Sequence, residues 1–532
     1  INGGTVQSVH TTVSNYGTLT INDGSFTCNG LEGITAHVIW ATEGSTTTIY
    51  GGTFDGKDNY NGFNVDASQG ANVVIKGGKF LPVHSGSLYG EGTITVSGGT
   101  FFDEVAEERL AEGYVCKQNA DGTYGVFLGV AKIEGTGAIY GTLQAAITAA
   151  QSGNTIVLLA DITENVTVSK NLTIDGANAE GGKFDYTGTM TANNGLTVTV
   201  QNIDFVGGGF DKSSKSTTGN YTIKNCTFED DGDYAYAFRF KGAYSVTIED
   251  CTVKNYLYSF LYITASTNKV SVKNVTVEDC PSYGVYFSSG VTNTSIVNLT
   301  VKDSNNGFVI NNTANRTLNL TNCKFENVTT AINHSNGANT VTCNLLGNEN
   351  DFGTSASSQY AKYVLEAADA TLTAPEGYNV TTSVGGSTVK YEGGKYVVKD
   401  AIAQIGDEMY ATLQDAIDAA EDGDVIVILK DINLNETALE TIDNAYDTYF
   451  IVEGKSVTID LNGWKISGVY AGTNTMLVGV FSTDNNGHIT LVDNNSEGKT
   501  AEVNVLATNK VYSLIANYED GCSITINGGT YT

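Results

Sequence analysis

The stretch Val200-Gln201-Asn202-Ile203-Asp204-Phe205 recurs in altered form at residues 223–228, 248–253, 272–277, 296–301 and 320–325. Successive copies are 23, 25, 24, 24 and 24 residues apart, and they read apolar, polar, Asn or Asp, apolar, polar, apolar, with Val297 the one exception at the second position. Alternation with a period of two is typical of a half-buried strand on each side of a bend. A period near 24 with several strands per unit predicts one turn of a parallel β-solenoid.

One column of this repeat lies at the bend: Asn202, Asn225, Asp250, Asn274, Asn298 and Asn322. Asn and Asp tolerate left-handed backbone and bond to nearby amides, so they suit turns. If the units stack one rung apart, about 4.8 Å, these amides can also bond to each other.

A second strand follows in every unit, and we align it as residues 237–240, 259–262, 284–287, 307–310 and 331–334. Its first column is small, its second apolar, and its fourth aromatic or Ile until His334; the second and fourth columns are predicted to face the core. The same alignment places an aromatic stripe inside the solenoid: Phe238, Phe260 and Phe308, with Phe240, Tyr262 and Phe287. Inward alternation favours core packing over sugar binding for this stripe.

The flanking regions carry a looser version of the motif at residues 21–26, 49–54, 75–80, 96–101 and 526–531. There a Gly pair replaces the Asn, and we expect it to supply the positive φ of the bend. Residues 1–6 begin in the middle of the same motif, so both ends of the chain are expected to lie within a solenoid.

Residues 142–150 recur at 412–420. In the first copy, Leu143, Ala146, Ile147 and Ala150 occupy one face of a predicted helix. Thr142 is the expected N-cap. A short helix and strand can cover the first rung of a solenoid and shield its unpaired edge. Hairpins are predicted before each helix, around residues 112–124 and 376–396.

The predicted architecture is all-β: a right-handed parallel β-helix with about 24 residues per rung, capping helices and hairpin connectors. We divide the chain into five segments. They are 1–104, a β-solenoid; 105–132, a hairpin connector; 133–350, a capping helix with the central solenoid; 351–400, a second connector; and 401–532, a capping helix with a third solenoid.

The chain has 532 residues and a formal net charge of −30, with 28 basic and 58 acidic side chains. Phosphate backbones and anionic lipid are repelled by such a surface, so nucleic-acid binding is disfavoured. No apolar run approaches the ~18 residues that a membrane span needs. Eight Cys without CxxC pairs argue against zinc ribbons.

The rungs, the capping helix and the connector Glu112-Gly113-Tyr114 to Asp121-Gly122-Thr123-Tyr124 resemble a known family. It comprises the right-handed parallel β-helix (pectate-lyase-like), adhesin-like modular surface proteins of gut bacteria, and the resemblance covers most of the chain. It implies an extracellular, cell-surface location. The fold also serves pectate lyases, polygalacturonases, phage tailspikes and adhesins, so the function does not follow from it.

Catalytic constellations are sparse in the sequence. Glycosidases on this fold need two carboxylates flanking a sugar bond, and the one tempting pair, Asp230-Asp231, is interpreted as an acidic turn. Lyases need Arg or Lys, and the chain has three Arg: Arg109, Arg239 and Arg316. No cofactor is expected, and oxygens of the acidic turns 230–233, 421–424 and 484–486 offer the only calcium candidates.

Several single residue types are interpreted as structural. The five His show no metal-ligand spacing, and His334 lies in an inward column, which predicts a satisfied core residue. Cys226, Cys251 and Cys323 share an inner column with aliphatic residues, so we expect free, buried thiols that act as small hydrophobes.

The candidate ligand-binding residues are Tyr236, Tyr258, Tyr283 and Arg239. The three Tyr precede the small residue of the second strand, which predicts a ladder at the rung corner that is either exposed for stacking on sugar rings or merely covers the corner. Arg239 is predicted to point outward as a solvated charge.

The predicted function is therefore an extracellular, non-enzymatic surface protein, an adhesin or a structural rod. Its expected partners are host or bacterial surface glycans or proteins, together with neighbouring repeats of a longer chain. Two alternatives stay open: a polysaccharide lyase or glycoside hydrolase on the same fold, and a trimeric, phage tailspike-like receptor binder.

Overall fold

The computed structural model of the protein describes residues 1–31, 33–57, 61–287, 290–291, 293–311, 315–334, 339–442, 446–470, 476–507, 510–511, 513–517 and 520–532. It is an all-β protein, about 4% helical, with about 21 solenoid turns spaced about 24 residues apart. The predicted fold class is confirmed. The chain packs as two compact units, Ile1–Asn268 and Lys269–Thr532, and the five-segment division stays a prediction.

The first part of the first unit coils in triangular rungs, because every third strand joins the same parallel sheet. Three sheets result, with orders β1-β4-β7-β10-β13, β2-β5-β8-β11 and β3-β6-β9-β12. The strands are β1 (Asn2–Ser8), β2 (Val13–Asn15), β3 (Thr18–Ile21), β4 (Asp23–Cys28), β5 (Ile39–Ala41), β6 (Thr46–Ile49), β7 (Thr53–Asp55), β8 (Val65–Ala67), β9 (Asn72–Ile75), β10 (Lys79–Phe80), β11 (Leu88–Tyr89), β12 (Thr93–Val96), β13 (Gly99–Phe101), β14 (Tyr114–Gln118) and β15 (Tyr124–Leu128).

The core of this part contains a stack of aromatic rings, one from each rung. Phe26, Phe54, Phe80 and Phe101 are all buried. Their ring centroids are 5.2, 4.8 and 4.5 Å apart, with nearly parallel planes. A one-rung repeat of about 4.8 Å imposes this spacing, so the Phe that ends each Gly-pair motif forms a continuous apolar column.

The Gly-pair corner differs in detail from the expectation. Positive φ falls on the second Gly, as at Gly52 (φ 104°), one residue later than the Asn column. The first Gly is required for a different reason: a Cβ on Gly51 would lie 2.7 Å from the carbonyl oxygen of Asn22 on the preceding rung. The pair therefore combines a left-handed turn with a close approach of two backbones.

The second part of the first unit contains a capping helix, α1 (Leu143–Ala149), and the beginning of the central solenoid. β18, β21, β23, β25 and β28 form one of its parallel faces. The strands are β16 (Ala131–Ile133), β17 (Ile139–Tyr140), β18 (Thr155–Leu158), β19 (Ile162–Thr163), β20 (Val166–Val168), β21 (Leu172–Asp175), β22 (Phe184–Ala192), β23 (Thr197–Gln201), β24 (Ile203–Lys212), β25 (Asn220–Lys224), β26 (Thr227–Glu229), β27 (Tyr236–Phe240), β28 (Ala243–Lys254) and β29 (Ser259–Ile263).

The capping helix forms as predicted. The Thr142 hydroxyl accepts the amide of Ala145 at 3.1 Å, which satisfies one of the free N–H groups of the first turn. Leu143, Ala146 and Ile147 are buried, and the helix contacts β16 and β20. β16 pairs antiparallel with β18, so the first rung edge is covered by a strand of opposite direction.

The second unit opens with the remaining rungs of the central solenoid. β32, β33, β35, β38 and β40 pair in parallel. The strands are β30 (Thr267–Glu278), β31 (Tyr283–Phe287), β32 (Thr294–Ile310), β33 (Arg316–Thr321), β34 (Lys324–Asn333), β35 (Val341–Leu346), β36 (Asn350–Asp351), β37 (Ala356–Ser357), β38 (Ala361–Leu365), β39 (Thr371–Thr373), β40 (Val380–Thr382), β41 (Ser387–Glu392) and β42 (Lys395–Asp400).

Parallel coiling runs further here than expected. The predicted second connector begins at residue 351, but β38 and β40 still pair in parallel up to Thr382. The antiparallel hairpin is confined to β41 and β42, and β42 also closes on β39. These last rungs lack the Asn-containing motif, which is why their sequence did not read as solenoid.

The last part of the second unit is again three-sided, with sheet orders β44-β43-β45-β49-β52-β56, β46-β50-β53-β57 and β47-β48-β51-β54. The capping helix α2 (Leu413–Ala419) repeats the Thr N-cap, here Thr412. The strands are β43 (Ala403–Ile405), β44 (Glu408–Tyr410), β45 (Val425–Ile428), β46 (Ile432–Asn433), β47 (Glu440–Ile442), β48 (Tyr446–Glu453), β49 (Ser456–Asp460), β50 (Lys465–Tyr470), β51 (Met476–Asp484), β52 (His488–Val492), β53 (Glu502–Ala507), β54 (Lys510–Val511), β55 (Ile515–Asn517), β56 (Ser523–Ile526) and β57 (Thr530–Tyr531). Single 3₁₀ turns lie at Glu107–Arg109 and Leu434–Glu436.

The predicted corner column is left-handed at every member, with φ between 49° and 56° at Asn202, Asn225, Asp250, Asn274, Asn298 and Asn322. Side-chain amides link neighbouring rungs. Asn225 Nδ2 donates to Asn202 Oδ1 at 2.7 Å, and in the second unit Asn298 Nδ2 donates to Asn274 Oδ1 at 2.8 Å. Each bond joins equivalent positions of successive turns, so the column fixes their register.

A second corner column was missed. Asn255, Asp279, Asp303 and Asn327 are also left-handed, with φ between 52° and 64°. They are spaced 24 residues apart, and Asn327 Nδ2 donates to Asp303 Oδ1 at 3.0 Å. The same spacing that revealed the first column was present in the sequence.

Inner positions are buried as predicted, including Phe260 and Val285. The eight cysteines are free, and Cys226, Cys251 and Cys323 are buried in the core as expected. His334 is buried too, and its ring nitrogens lie 2.9 Å from the carbonyl oxygen of Ile310 and 3.2 Å from that of Asn339. In the described part of the chain, no helix is both long and apolar enough to cross a membrane.

The corner column predicts a difference between two substitutions of Asn225. Alanine loses the amide bond and must adopt a left-handed backbone that costs about 1–2 kcal/mol, whereas Asn225→Gly loses the bond alone, about 1 kcal/mol. Asn225→Ala should therefore lower the free energy of unfolding more than Asn225→Gly, by about 1 kcal/mol in urea titrations followed by circular dichroism. Equal losses would contradict the role given to the left-handed corner.

The buried thiols predict slow chemical modification. Burial raises the pKa of Cys251 and of Cys323 to about 12, so at pH 8 neither forms the reactive thiolate. In the native protein the half-buried Cys116 should react first with a disulfide reagent, and the full eight only in denaturant. The thiols of the unfolded chain ionise near pH 9. Keeping Cys251 and Cys323 protonated in the core therefore stabilises the folded state fully below pH 9, and this stabilisation is lost as the pH rises towards 12.

Candidate functional site

An open pocket of about 160 Å³ lies on the outer surface of the first unit, beside β27. Residues from three successive rungs form it, since the end of β24 pairs with β22 on one side and with β27 on the other. Its lining consists of Thr189, Gly209, Phe210, Asp211, Tyr234, Ala235, Tyr236 and Arg239. Two of the four predicted site residues, Tyr236 and Arg239, are among them.

The register of these strands corrects one prediction. Arg239 lies opposite Tyr262, and Phe238 lies opposite Leu261, whereas the sequence alignment paired Phe238 with Phe260. Tyr262 is therefore half-buried on the outer surface and is not a member of the inward aromatic stripe. The run 260–263 is apolar at every position, so its alternation alone does not decide which residues face inward.

Asp211 and Arg239 of the pocket wall form a column with Tyr262 beside it, because the three are register partners on consecutive strands. One edge of the Arg239 guanidinium is used: Nε donates to Asp211 Oδ1 at 3.1 Å, and Nη2 donates to Asp211 Oδ2. Such a bidentate pair fixes the geometry of both groups. Arg239 is thus a paired and oriented cation, not the solvated charge that the sequence predicted.

The hydrogen bonds that Arg239 donates to Asp211 raise the pKa of Arg239 further above its ordinary value. The guanidinium side chain is 38% exposed and the Asp211 carboxylate 14% exposed. The pocket therefore presents a neutralised ion pair whose outer edge is accessible to hydrogen-bonding ligands, and an anionic ligand would have to compete with Asp211 for the cation.

The second wall of the pocket is formed by the tyrosines Tyr234 and Tyr236, and Tyr262, outside the lining, supports Tyr236. The rings of Tyr236 and Tyr262 are stacked, with centroids 4.2 Å apart and planes 17° apart. Tyr258 is more loosely placed, 5.9 Å from Tyr236 with a 34° tilt, and is 43% exposed. The aromatic partner of Tyr236 on the next rung is therefore Tyr262, which the shifted register brings to the surface.

The loop before β27 holds Tyr234 at the rim. The Asp230 carboxylate accepts the backbone amides of Gly232 and Tyr234 at 2.9 and 2.8 Å, so the interpretation of Asp230-Asp231 as an acidic turn is confirmed. Tyr234, 40% exposed, is thereby fixed in the pocket lining.

Tyr283, the fourth predicted residue, belongs to the second unit. Its ring packs against Tyr286, with centroids 5.3 Å apart. Sequence reasoning missed Asp211, Tyr234 and Tyr262. Each of the three lies on a different strand or loop from Tyr236 and Arg239, and no spacing in the sequence identified them.

The charged side chains of the pocket lining are Asp211 and Arg239. Hydrolysis of a sugar bond requires two carboxylates several ångströms apart, and among the pocket-lining residues Asp211 is the single carboxylate, already held by Arg239. A protonated Arg with a raised pKa is a poor base. Over the described residues, no group of three or more His, Cys, Asp or Glu is arranged to hold a metal ion.

The stacked rungs and their left-handed corners define a parallel β-helix protein. Residues 214–367 match the family model described as a right handed beta helix region. These residues include β27 but not the pocket-lining residues of β22 and β24.

Comparison with individual proteins adds little. No curated protein matches the chain. Among solved structures, the chain is similar to that of an alginate lyase of the PL6 family, at 13% identity, with 98% of this chain and 73% of that chain covered and a TM-score of 0.27. A TM-score this low carries no argument about activity or site residues.

The corrected register predicts which pair of tyrosines shows an interaction energy in the folded protein. A stacked pair contributes roughly 0.5–1.5 kcal/mol beyond buried area. A double-mutant cycle on unfolding free energy, with alanine at both positions, should give a coupling in that range for Tyr236 and Tyr262. The matched cycle for Tyr236 and Tyr258 should give a clearly smaller coupling. The reverse order would show that Tyr262 is not the stacking partner.

Proposed function

We propose that this protein is an extracellular, non-enzymatic surface protein, an adhesin or a structural rod, which binds saccharides in the pocket beside β27. The observation that carries the proposal is the combination of stacked Tyr236 and Tyr262 with the oriented pair of Arg239 and Asp211. The proposed partners are glycans of host or bacterial surfaces, with no role for nucleic acid or membrane insertion.

The two walls suit a sugar ring for complementary reasons. The C–H face of a pyranose is weakly positive and apolar, and it packs on the negative face of an aromatic ring. Its hydroxyls both donate and accept, and the outer edges of an Arg–Asp pair offer both partners. A binding site with an apolar wall and a few oriented polar groups is the usual design for small ligands.

Size and charge narrow the ligand further. At about 160 Å³ the pocket is smaller than the roughly 300–1,000 Å³ of clefts that enclose drug-sized ligands, so it suits one sugar residue at the end or edge of a longer chain. Because Arg239 is already paired, and because the chain carries a net charge of −30, we expect neutral sugars to bind better than uronates.

A glycan array probed with the whole chain tests the proposal. Binding to a set of neutral glycans is expected, and Tyr236→Ala and Tyr262→Ala should each weaken it at least tenfold, about 1.4 kcal/mol. Tyr244→Ala is the matched control, because Tyr244 is an exposed tyrosine of the same unit that does not line the pocket. Binding that all three variants retain would overturn the pocket as the site.

The same array separates the alternatives. Loss of the printed glycans after incubation would identify a lyase or hydrolase and would overturn the non-enzymatic proposal. A trimeric mass in solution would favour a tailspike-like receptor binder. Absence of any glycan binding would leave a rod without a saccharide ligand.

A further inference from the structure

A second group of aromatic side chains lies on the first unit, far along the sequence from the pocket. Ser14, Trp40, Asp66 and Tyr89 are register partners on β2, β5, β8 and β11, four successive rungs of one sheet. All four are at least partly exposed. We call this column, with Tyr16, His37 and Phe63 beside it, the N-terminal aromatic face.

The rings of this face are held in fixed orientations. The indole N–H of Trp40 donates to Ser68 Oγ at 3.0 Å, and the edge of Tyr16 packs on the indole at 6.1 Å. Tyr89 stacks on Phe63, with centroids 4.2 Å apart and planes 7° apart. Rings that are ordered before a ligand arrives lose little entropy on binding.

Much of the surface of these rings is nevertheless exposed to solvent and adds no buried area to the core. Tyr16 is 74% exposed and Tyr89 is 53% exposed. An aligned set of large, exposed side chains on a monomer surface is characteristic of interaction sites. Isolated exposed tyrosines occur throughout the chain, but here the rungs align them.

A buried histidine positions the polar group between the rings. His37 Nε2 lies 3.0 Å from Asp66 Oδ2, and the His37 ring stacks on Phe63 at 6.0 Å. His37 is only 7% exposed, and its Nδ1 has no hydrogen-bond partner among the described residues. The carboxylate of Asp66 is thus oriented through one oxygen, and no described group bonds to the other.

We propose that the N-terminal aromatic face is a second saccharide-binding site, for a neutral oligosaccharide. Trp40 and Tyr89 are two rungs apart, about 9.6 Å, so they stack on two different sugar rings of one chain. Asp66, between them, accepts bonds from hydroxyl groups. The column carries a carboxylate and no cation, so hydroxyl donors complement it and anionic ligands do not.

This site deepens the proposed function, yet it shares no residue with the pocket beside β27 and can be tested separately. The chain has two tryptophans, Trp40 and Trp464. In the whole chain carrying Trp464→Phe, the remaining indole emission reports on this face directly. Xylohexaose, cellohexaose and mannohexaose are the neutral probes, with an alginate hexamer as the acidic comparison.

We expect a saturable change in Trp40 emission with at least one neutral hexaose at concentrations up to about 10 mM, where even millimolar affinity registers. Tyr89→Ala and Asp66→Asn should each weaken it at least fivefold. Tyr50→Ala, an exposed tyrosine outside the face, should leave it unchanged, as should Tyr236→Ala. Circular dichroism establishes that each variant is folded.

No emission change with any neutral hexaose overturns the second site, as does a response to the alginate hexamer alone. A response that persists in both Tyr89→Ala and Asp66→Asn overturns the assigned roles. If Tyr236→Ala abolishes glycan-array binding while Trp40 stays silent, the second site fails and the proposed function stands. If instead Trp40 emission responds and Tyr236→Ala retains glycan-array binding, the binding site is this face and not the pocket.

Discussion

The left-handed residue at the corner of each rung is the constraint on which the rest of the central solenoid depends. An ordinary residue pays about 1–2 kcal/mol for that conformation, so the corner forms where Asn, Asp or Gly stands and not one position away. Because side chains alternate along a strand, a slip of one residue would turn every core side chain outward. The amide bond from Asn225 to Asn202 therefore does more than join two rungs. It determines which residues the outer surface presents.

Most of the fold could be predicted from the sequence because the corner residues and the apolar core residues indicate the same strand register. The repeat with Asn or Asp at its third position identified the strands and their spacing, and the apolar face of residues 143–150 identified the capping helix. Prediction failed where one signal was missing. Residues 260–263 are apolar throughout, and without alternation the register was ambiguous by one position. Parallel rungs between 351 and 382 carry no Asn motif, so they looked like a connector.

The two candidate sites illustrate a second limit. Tyr236 and Arg239 were found because they belong to one strand, but Asp211 in the pocket and Tyr262 stacked on Tyr236 come from neighbouring rungs whose register the sequence did not fix. The N-terminal aromatic face escaped notice for the same reason. Trp40 and Tyr89 are 49 residues apart, and only the one-rung stacking of β5, β8 and β11 brings them together. Which residues form a surface column thus depends on the strand register, whereas the core columns could be recognised from their residue types.

The antiparallel strands that end the parallel stacks have a consequence for assembly. A bare rung edge offers a row of backbone donors and acceptors to a rung of the same kind from another molecule, which is how cross-β fibrils grow. β16 lies antiparallel on β18, β15 on β13 and β42 on β39. At these positions an incoming parallel rung meets a strand of the wrong direction and cannot continue the inner columns. At these three edges the antiparallel strand keeps a fibril-like parallel stack from templating its own extension.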